Sequence, residues 1–372
     1  MAARAGLHLA QLAATPRPAG GQAERAAREY CARQLRERGF LVAEEPVEFS
    51  ALPGRWATPA GGVLAFGVLA AAGHLGDRGH AAGAFALLSA GALLTAVLAS
   101  LGARGVLTAP WLRTRTANLV ARRGSPTLWL MAHLDSKSQP VPIAIRALGV
   151  MGLVTIWLLG LLLASAQWGG GGGGGAGVER AWLWLVIAGA VAAAPVAASV
   201  VGARSPGAVD DASGVAVLLR VAEDAPPNAA LGFVFTSGEE LGLAGARAWV
   251  RGRLPGRAIN VDGVDDRGRV RFTYSGPRPP ILAPLLAAAA SSRPSAGPLV
   301  PGVLLDGVAL ASAGWDVVTI SKGDWNTVTR VHTPRDSVSA LDGTGVEAVA
   351  AIIGRAIVES LRDGEEAPRR RR

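Results

Sequence analysis

Leu128-Trp129-Leu130-Met131-Ala132-His133-Leu134-Asp135-Ser136-Lys137 runs five apolar residues directly into a histidine and an acid. A short apolar run bounded by polar residues reads as a buried strand. In open α/β sheets, ligands gather beyond the carboxyl ends of strands. His133 and Asp135 therefore stand where chemistry is placed. A histidine there can bind a metal ion through one ring nitrogen while a carboxylate holds the proton on the other. Taken alone, the pair also describes a buried histidine with structural hydrogen bonds.

Three further stretches repeat the arrangement. Gly207-Ala208-Val209-Asp210-Asp211-Ala212-Ser213-Gly214 opens a helix. Its adjacent acids fit a helix start, and a carboxylate there can equally bridge two ions. Glu239 and Glu240 follow the apolar run Phe233-Val234-Phe235 and Thr236-Ser237-Gly238. One can bind metal while its neighbour takes a proton, or both can be helix N-terminal acids. Asp262 follows Ile259-Asn260-Val261 and precedes a glycine, which alone would read as a turn. His332 lies in the loop Val331-His332-Thr333-Pro334-Arg335-Asp336, and a lone loop histidine is commonly a surface residue. Two of the five histidines fall in these slots.

Working outward, Leu128–Ala132, Leu231–Phe235, Ala258–Val261 and Val317–Ile320 read as strands, and Phe40–Phe49 as another. Gln22–Gly39, Val215–Ala222, Leu241–Val250, Ile281–Ala290 and Gly343–Leu361 read as helices. Alternation of this kind implies an α/β sheet with helices on both faces.

Four runs break it. Trp56–Gly76, Gly79–Ala103, Ala147–Val178 and Ala181–Ala203 contain no Asp, Glu, Lys or Arg. A membrane-spanning helix needs roughly 20 mainly apolar residues. The last three runs meet this well, and the Gly-rich first run is the weakest. They pair through His74–His80 and through the Gly169–Gly175 tract, which reads as a flexible linker because it lacks the Lys-Ser/Thr partner of a phosphate loop. Two transmembrane hairpins would leave every site motif in one aqueous compartment. Arg55, Arg104, Arg113, Arg115, Arg146 and Arg204 flank the hairpin bases, which makes that compartment the cytoplasm by the positive-inside rule. The expectation is an integral membrane protein. The tail Arg369–Arg372 could rest on anionic headgroups or be a solvated end.

Half of the 372 residues are hydrophobic and 17% are charged. Lys137 and Lys322 are the only lysines, so the formal charge of +9 comes from 35 scattered arginines. With aromatics at 5%, there is no stacking platform for bases, and nucleic acid is not expected as a partner. Cys31 is the only cysteine, so no intrachain disulfide forms. Residues 1–11 lack a clear signal-peptide pattern.

In their order, His-Leu-Asp-Ser, Gly-Ala-x-Asp-Asp-Ala-Ser-Gly, Gly-Glu-Glu-Leu-Gly-Leu-x-Gly and His-Thr-x-x-Asp resemble the cocatalytic zinc aminopeptidase family, metallopeptidase family twenty-eight, over residues 20–50, 114–136 and 205–362. The resemblance implies a three-layer zinc-exopeptidase-like α/β fold with a mixed central sheet, here interrupted by two transmembrane helical hairpins. Residues 1–55, 104–146 and 204–372 would form the peptidase domain. Residues 56–103 would be the first hairpin, and 147–203 the second with its Gly-rich loop. It implies two Zn2+ ions, other divalent metals being compatible with the donors. Asp210 would bridge them, with His133 and Asp262 completing one site and Glu240 and His332 the other. Glu239 would be the general base, Asp135 the support of His133, and Asp336 a support of the His332 loop. A cis peptide is expected at Asp210-Asp211. The substrate would be a peptide cleaved at its N-terminal bond, and the second partner a lipid bilayer.

Three departures stand out. His133 and Asp210 lie 77 residues apart, with the second hairpin between them. Leu305-Asp306-Gly307 replaces the family's Ser-Asp-His. The loop Lys322–Arg330 has no tyrosine, leaving Trp325 and Asn326 as candidates for substrate contact. Competing readings are a glutaminyl-cyclase-like aminoacyltransferase, which shares a His-x-Asp-Ser-Lys opening, and a catalytically silent membrane scaffold of the same fold.

Overall fold

Alternation along the strands sorts their side chains into two cores. In the computed structural model, which describes residues 2–171, 175–300 and 302–366, eight strands form one sheet in the order β1-β2-β4-β3-β5-β8-β6-β7. They are β1 (Leu41–Ser50), β2 (Arg113–Arg122), β3 (Leu128–His133), β4 (Leu231–Thr236), β5 (Arg257–Val264), β6 (Arg269–Tyr274), β7 (Ser295–Pro298) and β8 (Asp316–Gly323). The sheet is mixed: β3 runs parallel to β4 and β5, and β5 to β8, while β1–β2, β2–β4 and β6–β8 are antiparallel.

Successive strand residues point to opposite faces. Leu130, Ala132, Phe233, Phe235, Ile259, Val261, Val318 and Ile320 pack on one side. There they meet α1 (Ala2–Leu12), α2 (Gln22–Arg36), α7 (Gly214–Asp224), α9 (Leu282–Ala288) and α12 (Thr344–Glu366). Met131, Val234, Ala258 and Val317 point the other way, against Trp249 of α8 (Ala244–Val250), Leu310 of α10 (Asp306–Ser312) and Trp315. Helix–sheet–helix layering follows directly. The four parallel strands end on one edge, and β8 leads into α11 (Trp325–Arg330).

The chain divides into two units: residues 1–51, 109–138 and 203–372 carry the sheet, and residues 52–108 and 139–202 form the other unit. The second unit contains α3 (Leu52–Asp77), α4 (Ala81–Gly105), α5 (Ile143–Gly169) and α6 (Ala176–Ala197). All four are long and apolar enough to cross a membrane. The Gly-rich first run is a 26-residue helix like the rest. Three of its glycines are packing positions: a Cβ would stand 2.9 Å from Ala197 N at Gly62, 2.6 Å from Val186 at Gly73 and 2.2 Å from the Trp182 ring at Gly76. Small residues at such contacts let helices approach closely. Buried Gln167 donates to the Gly76 carbonyl at 2.8 Å and accepts from Trp182 Nε1 at 3.1 Å. Leu148, Met151, Leu162, Trp184 and Val191 are exposed, so this unit is apolar outside as well as inside. Residues 172–174 of the glycine tract and the tail Arg369–Arg372 lie outside the described residues.

The expected helix Leu241–Val250 begins late. Gly242 (φ 112°) and Leu243 (φ 60°) are left-handed, and regular helix starts only at Ala244. The preceding Glu239–Leu241 is a tight 3-10 turn, whose cause lies in the site.

Candidate metal centre

Each acid or histidine singled out in the sequence sits where a strand ends or a loop returns to that edge. His133 is the last residue of β3. Its Nδ1 lies 2.9 Å from the Asp135 carbonyl oxygen. A carbonyl only accepts, so Nδ1 carries the proton and Nε2 presents a lone pair. Nε2 lies 3.0 Å from Asp210 Oδ1, yet it is buried with no aligned hydrogen bond. Asp262 Oδ2 is likewise buried without a partner. Lone pairs that converge without bonding one another are what an ion's ligands look like before the ion is counted.

Two clusters result. One ligand atom from each of His133, Asp210 and Asp262 lies within 4.8 Å of the others, and the same holds for Asp210, Glu240 and His332. Asp210 is common to both. His332 Nε2 stands 2.9 Å from Asp210 Oδ2 and 3.4 Å from Glu240 Oε1.

The Asp210 loop depends on Gly207 (φ 63°), where a Cβ would meet the Asp210 carbonyl at 2.3 Å. The Asp210-Asp211 peptide is cis, as expected. Asp211 points away from the clusters. Its carboxylate accepts from the backbone N–H groups of His133 (3.2 Å), Gly214 (3.0 Å) and Gly263 (3.1 Å). Gly263 (φ 73°) sits in the irregularity between Val261 and Val264, which turns Asp262 out of the β5 register.

Two supports differ from expectation. The Asp135 carboxylate is 3.7 Å from His133 Nδ1; its close partners are the backbone N–H groups of Gly238 (2.9 Å), Glu239 (3.2 Å) and Glu240 (3.2 Å). Asp135 thus holds the Glu239-Glu240 turn, and its main-chain oxygen, not its side chain, orients the imidazole. Gathering three consecutive N–H groups onto one carboxylate is what delays α8. Asp336 accepts from Val209 N (2.7 Å) and Asp210 N (3.2 Å), so it orients the Asp210 loop rather than its own.

Arg17 carries no motif, yet it is fully buried and donates to the carbonyls of Leu12 (2.6 Å), Leu134 (2.7 Å), Pro206 (2.6 Å) and Gly207 (3.1 Å). It clamps the loops after His133 and before Asp210. Only its place among partners distant in sequence marks it. Asp306 is buried, accepts from Thr236 Oγ1, and leaves Oδ1 without a partner. Trp325 is exposed and no hydrogen bond links it to the clusters.

Crowding shifts the acids. Burial pushes Asp262 up to about 7 and Asp306 up to about 6, with neighbouring carboxylates adding to it. Burial also drives Glu239 well above its ordinary 4.5, against the pull of His133. Asp135, Asp210, Asp211, Glu239, Glu240, Asp262 and Asp306 share this interior with few cations. Buried charge of one sign is tolerated only when paired or coordinated to metal. Imidazole and carboxylate donors in groups of three suit zinc and similar divalent ions, so the donor set fits such ions.

The model of Peptidase family M28 matches residues 192–357, which include Asp210, Glu239, Glu240, Asp262 and His332. No curated protein matches the sequence. Among solved structures, an aminopeptidase from Aneurinibacillus sp. strain AM-1 superposes with TM-score 0.56 at 16% identity, covering 96% of this chain and 93% of that one. A zinc aminopeptidase from Bacillus subtilis gives 0.54 at 15%, covering 97% and 95%. The glutaminyl cyclase of Porphyromonas gingivalis gives 0.55 at 16%, covering 97% and 98%. Residues 192–357 thus resemble peptidase family M28, and the chain as a whole shares its fold with these structures.

Proposed function

We propose that the protein is a membrane-anchored dinuclear zinc aminopeptidase. The observation that carries this reading is the pair of three-residue clusters sharing Asp210, with Glu239 beside them. His133, Asp210 and Asp262 would hold one ion; Asp210, Glu240 and His332 would hold the other. Bound there, such ions lower the pKa of water and polarise a carbonyl.

The remaining chemistry belongs to Glu239. Its backbone is pinned by Asp135, and its carboxylate stands 4.0 Å from His133 Nε2. It accepts a proton from the attacking water as the new C–O bond forms at the peptide carbonyl. It returns that proton to the amine nitrogen as the C–N bond breaks. Burial raises its proton affinity, which suits a group that must both take and give a proton near neutral pH.

In this reading α3–α6 cross the bilayer as two hairpins. An even number of crossings leaves the site-bearing segments on one side, which the flanking arginines make cytoplasmic. A glutaminyl-cyclase-like reading is favoured by one observation, the cyclases among the structural neighbours.

The test is metal content together with turnover of aminoacyl chromogenic substrates and of a peptide with N-terminal glutamine. The expected result is zinc in the purified protein and hydrolysis that stops with a chelator. Glu239→Gln should keep its metal and lose about 10²–10⁴-fold in kcat. Cyclisation without hydrolysis would select the second reading, and absence of metal would remove both.

A further inference from the structure

The two clusters have the same donors: one imidazole and two carboxylates, with Asp210 shared. They differ in their surroundings. No Lys or Arg ion pair reaches Asp210 or Asp262 among the described residues. Glu240 has one: Lys137 Nζ lies 2.5 Å from Oε2, and the Lys137 backbone N–H donates to Oε1 at 3.2 Å. Residue 137 therefore engages both oxygens of one ligand. Glu240 is buried, and the Lys137 side chain is only 19% exposed, so water screens this contact weakly.

We propose that Lys137 is an internal cation that competes with the ion of the Asp210–Glu240–His332 cluster, so that the two clusters load unequally. The inference rests on reading both clusters as ion sites. An ammonium is a compact point charge. Held against a ligand carboxylate, it repels an arriving dication and must give up its own contact with Glu240 before that carboxylate can coordinate fully. The His133–Asp210–Asp262 cluster carries no such burden. Lys137 also keeps Glu240 aimed at the cluster when no ion is there, so the cluster is organised but weak.

The experiment titrates metal-stripped full-length protein in detergent with zinc, against a chromophoric chelator, for wild type, Lys137→Met and Lys137→Arg. Thermal unfolding reports folding. Wild type is expected to bind one ion tightly and the second about tenfold or more weakly. Lys137→Met should tighten the second ion by about tenfold and leave the first within about twofold, and Lys137→Arg should keep the inequality. Lys137→Gln, neutral but able to donate to Glu240, should behave as Lys137→Met and serves if that variant does not fold. Equal binding of two ions by wild type, or no tightening in either neutral variant, overturns this inference alone. No zinc binding by any folded form overturns it together with the metal reading.

Discussion

Asp211 belongs to neither candidate cluster, yet its carboxylate ties together three segments that border them: β3 at His133, the start of α7 at Gly214, and β5 at Gly263. Asp211→Ala would leave the His133 and Gly263 N–H groups without an acceptor, while Gly214 N–H keeps the Asp211 main-chain oxygen. Each such loss costs about 1–3 kcal/mol, so a destabilisation of about 2 kcal/mol or more is expected in urea unfolding, together with weaker zinc retention. A variant with wild-type stability and metal content would sink this role. His133, Asp210, Glu240, Asp262 and His332 were legible in the sequence because each follows an apolar run or a glycine-bearing loop and carries a side chain that is costly to bury. Asp211 was legible only as part of a motif, and Arg17 not at all. One arginine among 35 has no local signature, and its partners at Leu134, Pro206 and Gly207 lie more than a hundred residues away in the chain. Roles set by main-chain hydrogen bonds, such as the turn held by Asp135, are likewise invisible until the loops are closed.

At the scale of elements, strands that are apolar throughout were readable, whereas of the amphipathic ones β1 was and β2 and β6 were not. β2 opens Arg113-Thr114-Arg115-Thr116, and β6 reads Arg269-Val270-Arg271-Phe272; each alternates polar with apolar residues over only part of its length. β7 is four residues long and ends in proline. Periodicity has little to act on in such segments. The apolar helices present the opposite case: their existence follows from composition, but only packing shows why α3 has glycine at 62, 73 and 76. Gly76→Val would drive a side chain into the Trp182 ring, where even a Cβ has 2.2 Å. Overpacking of this kind costs about 1–3 kcal/mol. The expected outcome is a lower unfolding midpoint in detergent and altered Trp182 fluorescence. An unchanged midpoint would show that α3 and α6 do not meet as closely as described.

For the sheet-bearing unit as a whole, one contribution to acid stability comes from a cluster linking helices from both ends of the chain. Glu223 of α7 pairs with Arg220, Arg38 and His8, while Arg220 also reaches Asp224 and Glu347, and His8 bonds Tyr30. Burial alone would raise Glu223, but hydrogen bonding to Arg220 and the charges of Arg38 and His8 hold it below its ordinary 4.5. Its stabilisation is therefore fully present above about 4.5 and is lost as pH falls through the lowered value. Burial holds His8 below 6.5 despite the pull of Glu223, so protonating it also disfavours the fold as pH falls below that point. Protonation of the raised Asp262 and Asp306 works in the opposite sense over this range, so the cluster's share is read as a difference: from about 6.5 to below 4.5 the double variant His8→Phe with Glu223→Gln should lose less thermal midpoint than wild type. An undiminished slope in the double variant would assign acid sensitivity to other groups.

The register of β1 on β2 carries a consequence for how such a chain can arise. Ser50 pairs with Arg113, and Ala51 N donates to the Leu112 carbonyl at 2.9 Å, so the chain departs into α3 and comes back from α4 at two positions that already face each other. The second excursion does the same, with Arg204 N donating to Ser138 Oγ at 2.9 Å. Both departures sit where an ordinary connecting turn would close. Acquiring or shedding a helical pair there requires no change of strand order and no new partner for any residue of the candidate clusters, so the helical unit and the sheet-bearing unit are free to diverge in sequence on separate schedules.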